Sequence, residues 1–433
     1  MRNRKRRLHT TASGTLIPAL LILLLAAPVA QLAAADGDWG ITLDTEGSAR
    51  VVEDDWDDID TGLAFTAALW GRLFLRDSTQ PLSNSYELAA QGSYTYTDER
   101  DYLFDVELLR LTGRYPGVFG AQSVLEATAG RFRFADPTGR VMSHLADGAR
   151  LRLRFPSFNM RLDAAYTGLQ LDPNSDIRMT GADFADLDDE FFGPARAVGI
   201  AEFVFPELLG PHNLRIGVTG QYDLRDAKTG ESTLNSGYYT LAIDGPLAGG
   251  LYYNASGTLM QATEDAKGGG SEDTLGLLAI ARLRYFRESL LLSRATLAGI
   301  YATGDGDGFD PFLSVSGASV GTVFSRPVSD LIYAEAGYSL RPLANSRSAA
   351  ARAVQTGVTM RSFFAAQEPE GRPGDGQWYG NEVSLNISAR LFSDLGLSLT
   401  AGMFLPITDE DMGVLGKDAE PQYLGKIELS AAF

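Results

Sequence analysis

The chain has 433 residues, 45% of them hydrophobic and 10% aromatic, with 47 Gly, no Cys, 3 His and a formal charge of −18. Such a composition excludes collagen-like, coiled-coil, disulfide-stapled and wholly disordered classes. The lack of cysteine removes thiol catalysis, iron–sulfur clusters and thiolate zinc sites, and the acidic balance has the wrong sign for a nucleic-acid partner.

In chain order, residues 1–35 read first as a cleaved signal peptide. Arg2, Arg4, Lys5, Arg6 and Arg7 form a basic start, residues 16–25 an apolar core, and Ala33-Ala34-Ala35 a small-residue cleavage site before Asp36. The apolar stretch is short for an anchoring helix, and Pro18 and Pro28 interrupt the segment. Its removal takes the charge from −18 to −23, because the five charged residues lost are all basic. Residues 36–433 then form one domain, with Gly268-Gly269-Gly270-Ser271 as a loop tip rather than a boundary.

Beyond Asp36 no window of about 18 apolar residues occurs, which excludes a helical membrane bundle. Segments of about 10 to 14 residues instead alternate apolar and polar side chains between clusters of Gly, Asn, Asp and Pro, the period of a strand. They fall near 39–52, 62–76, 86–97, 102–113, 123–134, 148–155, 158–170, 196–205, 213–224, 237–244, 251–262, 274–286, 290–303, 330–341, 352–365, 379–392, 395–405 and 423–433. On the segment from Glu382, the residues Glu382, Ser384, Asn386, Ser388 and Arg390 share one face, with Val383, Leu385, Ile387, Ala389 and Leu391 on the other. At Glu126 the parity is imperfect: it shares a face with Phe132 and Phe134, as a bulge or a position near the rim would explain.

The pattern predicts an all-β transmembrane antiparallel barrel of about 18 strands, or 16 if the first hairpin is lost. Connections after even-numbered strands are tight, as at 155–158, 208–212, 244–247, 286–289 and 393–395, while those after odd-numbered strands include 171–195, 304–329, 367–378 and 406–422. Short periplasmic turns against long extracellular loops give that asymmetry, and a sandwich has no reason for it. The terminal Phe433, with apolar residues at alternate positions before it, resembles the strand by which the barrel-assembly machinery recognises its clients. Outer-membrane lipid and lipopolysaccharide are then the surroundings. The oligomeric state is left open.

Acids gather in the expected outer loops, at 53–60, 183–190, 305–310 and 409–411, whereas arginines sit inside strands. Arg150, Arg152 and Arg154 share one parity, and Arg131 with Arg133, and Arg282 with Arg284, repeat the arrangement. On a lipid face at the midplane each would cost about 2–4 kcal/mol, so these rows are expected to line the pore, with Glu382 and Arg390. They either form a permeation surface for anions or pair with Glu107, Asp163, Glu335 and Glu382 and brace a filled barrel, and both can hold. No cofactor is expected. Asp305, Asp307 and Asp310 have the Asp-x-Asp-Gly spacing of a calcium loop without its closing Glu, which makes them a candidate metal site only.

The run 129–137 with 146–151, the series Tyr301 to Asp307, and the patches 379–382, 393–396 and 402–406 resemble the alginate-export family of bacterial outer-membrane porins. That resemblance covers patches from about residue 120 to the C-terminus. It implies an 18-stranded barrel with an arginine-lined constriction, for which Arg131 and Arg150 are the best-placed matches, then Arg152 and Arg133. Phe132 and Arg133 depart from the polar residue that family members commonly have after the Gly-Arg pair.

The expected function is a passive channel for permeation or export of an anionic polysaccharide or oligosaccharide. The alternative is a general or substrate-selective uptake porin for small solutes, and the third reading is a structural, non-conducting barrel. Catalysis is not expected. After residue 35 the only imidazoles are His144 and His212, without a Gly-x-Ser-x-Gly or a phosphate loop nearby.

Overall fold

The computed structural model describes residues 37–52, 59–76, 84–97, 103–181, 183, 191–225, 232–265, 270–306, 308–367, 373–409 and 411–433. The expected signal peptide and most of the acidic runs at 53–60 and 183–190 lie outside the described residues. The wall begins with β1 (Gly37–Val52), β2 (Ile59–Arg76), β3 (Ser85–Thr97), β4 (Leu103–Pro116), β5 (Val124–Ala135), β6 (Ser143–Arg154), β7 (Asn159–Tyr166), β8 (Arg196–Phe205) and β9 (Asn213–Asp223). It continues through β10 (Thr233–Ala248), β11 (Leu251–Asp265), β12 (Ser271–Arg287) and β13 (Ser293–Ala302). A two-residue ribbon, β14 (Ser319–Val320) with β15 (Arg326–Pro327), interrupts the series before β16 (Leu331–Leu340), β17 (Gln355–Phe364), β18 (Trp378–Arg390), β19 (Leu395–Pro406) and β20 (Gln422–Ala432).

Eighteen of these strands form one sheet in which each pairs antiparallel with the next in the chain, and β20 closes on β1. Closure pairs the edges that an open sheet would leave bare. The 16-strand alternative fails because β1 is held on both sides, by β2 between Gly37 and Val51 and by β20 between Thr42 and Val52.

The polarity of the sheet is inverted relative to a soluble protein. Leu241, Leu259, Leu297, Met360, Leu385 and Ile427 stand exposed on the outside, while Thr219, Thr240, Thr258, Asp163, Glu202 and Ser384 are buried within. Each such apolar side chain left in water would forgo about 1.5–3 kcal/mol of burial, so hydrocarbon is the medium that this exterior fits.

Several boundaries differ from the sequence pattern for local reasons. The expected turn at 244–247 is strand: β10 runs on to Ala248, and the chain reverses at Gly249-Gly250 alone, with Gly250 at φ 77°. The strand expected over 158–170 stops at Tyr166, because Thr167 is tied by its hydroxyl to Pro194 O and by its N–H to Arg196 O. β17 starts at Gln355 rather than 352, after a single helical turn, α1 (Ala349–Arg352), capped by the Ser348 hydroxyl.

The apolar core lies inside the barrel and is built largely by loops. Val141 and Met142 between β5 and β6, Ile177 after β7, Phe312, Val315, Val323 and Val328 before β16, and Val414 after β19 are all buried there against wall residues. Replacing outward Leu259, in the middle of β11, by Arg is expected to lower folding stability in lipid vesicles by about 2–4 kcal/mol. The same substitution at an outward residue of the rim should cost about 1 kcal/mol or less, as read from denaturant titration of the folded barrel.

Candidate functional site

The β5–β6 hairpin leaves the wall half-way up. β4–β5 pairing ends at Leu109–Arg131 and β6–β7 pairing at Asp147–Tyr166, yet β5 and β6 stay paired with each other to Ala135–Ser143. Two glycines stand opposite one another at the crease, Gly130 and Gly148. Gly130 adopts φ 122°, and a Cβ there would strike Leu109 O; at Gly148 it would strike Ala164 O. No other residue fits both neighbours at that bend.

Beyond the crease the hairpin crosses the lumen. Arg161 of β7 donates to Ala135 O at 2.7 Å, and Pro137 rests on Gly217 of β9. The tip is made rigid by Asp136, whose carboxylate accepts the N–H groups of Thr138, Val141 and Met142 at 2.7–3.0 Å. Phe132 and Phe134 turn into the core, which resolves the parity at Glu126. Glu126 is on the same lumenal face lower down, paired with Arg152 and Arg154. Neither a bulge at Glu126 nor a rim position is needed.

A second insertion comes from residues 303–330. Val141 O accepts Val315 N–H at 2.7 Å, Ser316 Oγ accepts Ser143 N–H at 2.8 Å, and Leu313 O accepts the Tyr238 hydroxyl at 2.8 Å. At the far wall the Glu382 carboxylate accepts three successive N–H groups, of Thr322, Val323 and Phe324, at 2.8–3.1 Å, and the Arg361 guanidinium as well. A carboxylate among four donors anchors backbone firmly. Phe324 stacks on Phe404 beside it, with ring centroids 4.1 Å apart. Glu382 therefore does not line an open pore as its parity suggested; it is fully buried under this loop.

Around the hairpin the lumenal wall carries alternating charge. Arg150 bonds Asp163 at 2.8 Å, Arg152 and Arg154 share Glu126, Arg161 lies between Asp163 and Glu202, and Arg215 between Glu202 and Asp244. Five guanidiniums face four carboxylates, which leaves this strip positive. Arg150 is held further by Phe132 and Phe134, whose ring centroids lie 4.8 and 5.2 Å from its guanidinium carbon. It braces the hairpin. Arg282 and Arg284 of β12 face inward too, since they share parity with Leu278, paired to the buried lumenal Thr258, and neither has an ion-pair partner among the described residues. Arg390 is exposed on a recess with Asp44, Glu46 and Glu428.

The remaining expected positions behave differently. Arg131 and Arg133 are on the opposite face of the hairpin from Arg150, so they do not continue its row. Arg131 is bound to Asp147 at 2.7 Å, lies 3.6 Å from Asp105 and donates to Leu169 O, filling the gap that the departing hairpin leaves beside β4. Arg133 donates to Ser143 O. Asp310 accepts Leu275 N–H at 2.7 Å and so ties its loop to β12 rather than facing Asp305, which is exposed. Asp307 lies outside the described residues, among which no group of three or more His, Asp or Glu could hold a metal ion.

Arg161, Arg215 and Arg361 were not singled out by the sequence reading, which looked for rows. Arg161 and Arg215 are each a single Arg between apolar neighbours on an alternating strand, and Arg361 follows Met360 in the same way, which was the available signal. The buried cluster of Arg196 with Asp183 at 2.8 Å and Asp223 at 3.3 Å, which pins the loop after β7 to the wall, gave none, because Asp183 sits in an acidic run.

A closed antiparallel barrel of 18 strands with almost no helix matches the fold of outer-membrane porins of the OccK and Opd type. The chain superposes on Pseudomonas aeruginosa OpdL with a TM-score of 0.57 at 15% identity, over 92% of this chain and 99% of that one. It is similar also to Pseudomonas aeruginosa OccK2 (OpdF) in complex with glucuronate, with a TM-score of 0.56, 13% identity and 92% and 96% coverage. For Acinetobacter baumannii OccAB3 the values are 0.54, 11%, 92% and 100%. At such identities the likeness shows the fold, and it lends no support to alginate export beyond the shared barrel. Neither a protein-family model nor a curated sequence matches the chain.

Glu382→Ala should leave three buried N–H groups without their acceptor, while Arg361 keeps Glu335 and Ser384, at a cost of about 1–3 kcal/mol for each unmet N–H. Protease cleavage within residues 303–330 of the folded barrel, slow in the parent, is expected to become fast.

Proposed function

We propose that this chain is a passive outer-membrane channel for uptake of small anionic solutes, exported by a signal peptide at residues 1–35 and assembled through its C-terminal strand. The observation that carries the reading is the lumenal wall itself: a net-positive arginine strip on strands whose lumen receives two inserted segments. Guanidiniums that stay charged at any working pH attract a carboxylate or phosphate, and a partly neutralised wall releases it again.

The inserted hairpin and the 303–330 loop favour small solutes over a polysaccharide chain, since a polymer needs a continuous clear bore along its whole contour. The glucuronate held by OccK2, a small carboxylate in a barrel of the same fold, supports the same class of solute. Exposed Phe433, whose backbone pairs with Ile41, ends the closing strand in the manner suited to assembly-machinery recognition.

Purified protein in planar bilayers should conduct, with a zero-current potential under a salt gradient that reports anion preference. Arg282→Glu with Arg284→Glu exchanges two positive charges that have no ion-pair partner among the described residues for negative ones, and the anion-to-cation permeability ratio is expected to fall about tenfold. Arg150→Gln brings the strip to four guanidiniums against four carboxylates and should lower the ratio too, by less than the two charge reversals do. A barrel without conductance, or one blocked by a long polyuronate and indifferent to monomeric uronate, overturns small-solute uptake.

A further inference from the structure

At the foot of the β6–β7 hairpin the lumenal wall carries a cavity of about 160 Å³, lined by Arg152 and Arg154 of β6, Asn159 and Arg161 of β7, and Glu202 of β8. Arg152 stands directly opposite Arg161 in the register, and Arg154 directly opposite Asn159. Like charges that face one another across a strand pair destabilise it. The carboxylates that offset these two arginines, Glu126 and Glu202, lie on the outer sides of the pair, on β5 and β8.

Several donors of the lining are unspent. Arg152 bonds Glu126 through Nη1 and Arg154 bonds it through Nη2, at 3.3 and 3.4 Å, while Arg161 commits Nη2 to Ala135 O and Glu202. Arg152 Nε and Nη2, Arg161 Nη1 and the Asn159 amide nitrogen have no acceptor among the described residues. Of the unmet nitrogens on Arg152, Asn159 and Arg161, only Arg161 Nε is buried, and water reaches the rest. With side chains 34%, 46% and 16% exposed, Arg152, Arg154 and Arg161 are open to a solute in the lumen.

The excess charge of the strip falls at this point. Arg150 is matched by Asp163, Arg161 by Glu202 and Arg215 by Asp244, so Arg152 and Arg154 share the one carboxylate of Glu126. Arg114 of β4 faces Glu126 from the other side, has no ion-pair partner among the described residues and adds a further uncompensated cation. Such an excess beside one small cavity suits a dianion better than a monoanion. A planar carboxylate offers two oxygens and meets one guanidinium fork. The three terminal oxygens of a phosphate monoester, which carries a charge of about −1.5 to −2 at neutral pH, can meet three.

We propose that this cavity is a subsite for the phosphate group of a small phosphate monoester. One terminal oxygen goes to each of Arg152, Arg154 and Arg161, the Asn159 amide donates to one of them, and the ester oxygen carries the rest of the solute out into the lumen. The subsite rests on the uptake reading of the arginine strip and adds to it a preference for tetrahedral dianions over carboxylates. Its side chains share the inward face of the sheet, which keeps the phosphates of lipid head groups from it.

Saturation-transfer NMR of the full-length barrel in detergent reads the methyl protons of methyl phosphate, methyl sulfate and acetate alike, at a pH well above the second phosphate pKa of about 6. Methyl phosphate is expected to bind about tenfold or more tightly than acetate and than methyl sulfate, which has the same shape and a single charge. Arg152→Gln and Arg154→Gln should each weaken it about tenfold. Lys426→Gln, which removes a lumenal cation held by Glu46 and Glu428 elsewhere on the wall, should leave it unchanged. Both arginines are partly exposed and make one long bond each, so their loss leaves the barrel folded, as heat-modifiable gel migration shows. No saturable transfer, equal affinity for methyl sulfate, undiminished binding in either arginine variant, or equal weakening by Lys426→Gln overturns the subsite. Anion preference in bilayers is measured without phosphate, so loss of the subsite leaves uptake standing, and a barrel that binds methyl phosphate without conducting overturns uptake alone.

Discussion

A pleated strand has two faces, and closing eighteen of them into a ring puts one face of every strand outside and the other inside. With leucines and isoleucines outside, the polar set has nowhere to go but the lumen. There the dielectric is lower than in bulk water, and a lone charge is costly. The rest of the interior answers to that constraint: Arg150 with Asp163, Arg361 with Glu335 and Glu382, and Arg196 between Asp183 and Asp223 are local neutralisations of charges the sheet has forced inward.

The inserted segments follow the same logic. Residues 303–330 and the hairpin bring apolar side chains into a polar tube, which is favourable only if they bury one another and if their backbone groups are met. Phe312, Val315, Val141 and Met142 do the first, and the carboxylates of Asp136 and Glu382 do the second by accepting runs of N–H groups that no strand could pair. Lumenal acids thus serve two ends. Some balance arginine, and some hold irregular backbone in place of a partner strand.

Neutralisation is incomplete, and there the barrel keeps a functional surface. From β5 to β10 carboxylates alternate with guanidiniums and fall one short, and on β12 Arg282 and Arg284 have none among the described residues. Behind the hairpin Glu107 accepts a hydrogen bond from Gln91 and has no ion-pair partner among the described residues.

The alternation of strands such as 382–390 and 427–433, the charge of the segments between them and the sorting of loop lengths were legible in the chain, because a period of two is a local property. So were the strand number, the antiparallel closure and the inward direction of Arg150, Arg152, Arg154, Arg282 and Arg284. The place of Arg131 and Arg133, the burial of Glu382 and the paths of the long loops were not, since each depends on contacts between residues far apart in sequence. The Gly130–Gly148 pair shows the limit well. Either glycine alone reads as an ordinary break in a strand; only their meeting across the hairpin, tight against β4 and β7, lets the chain fold out of its own wall and into the lumen.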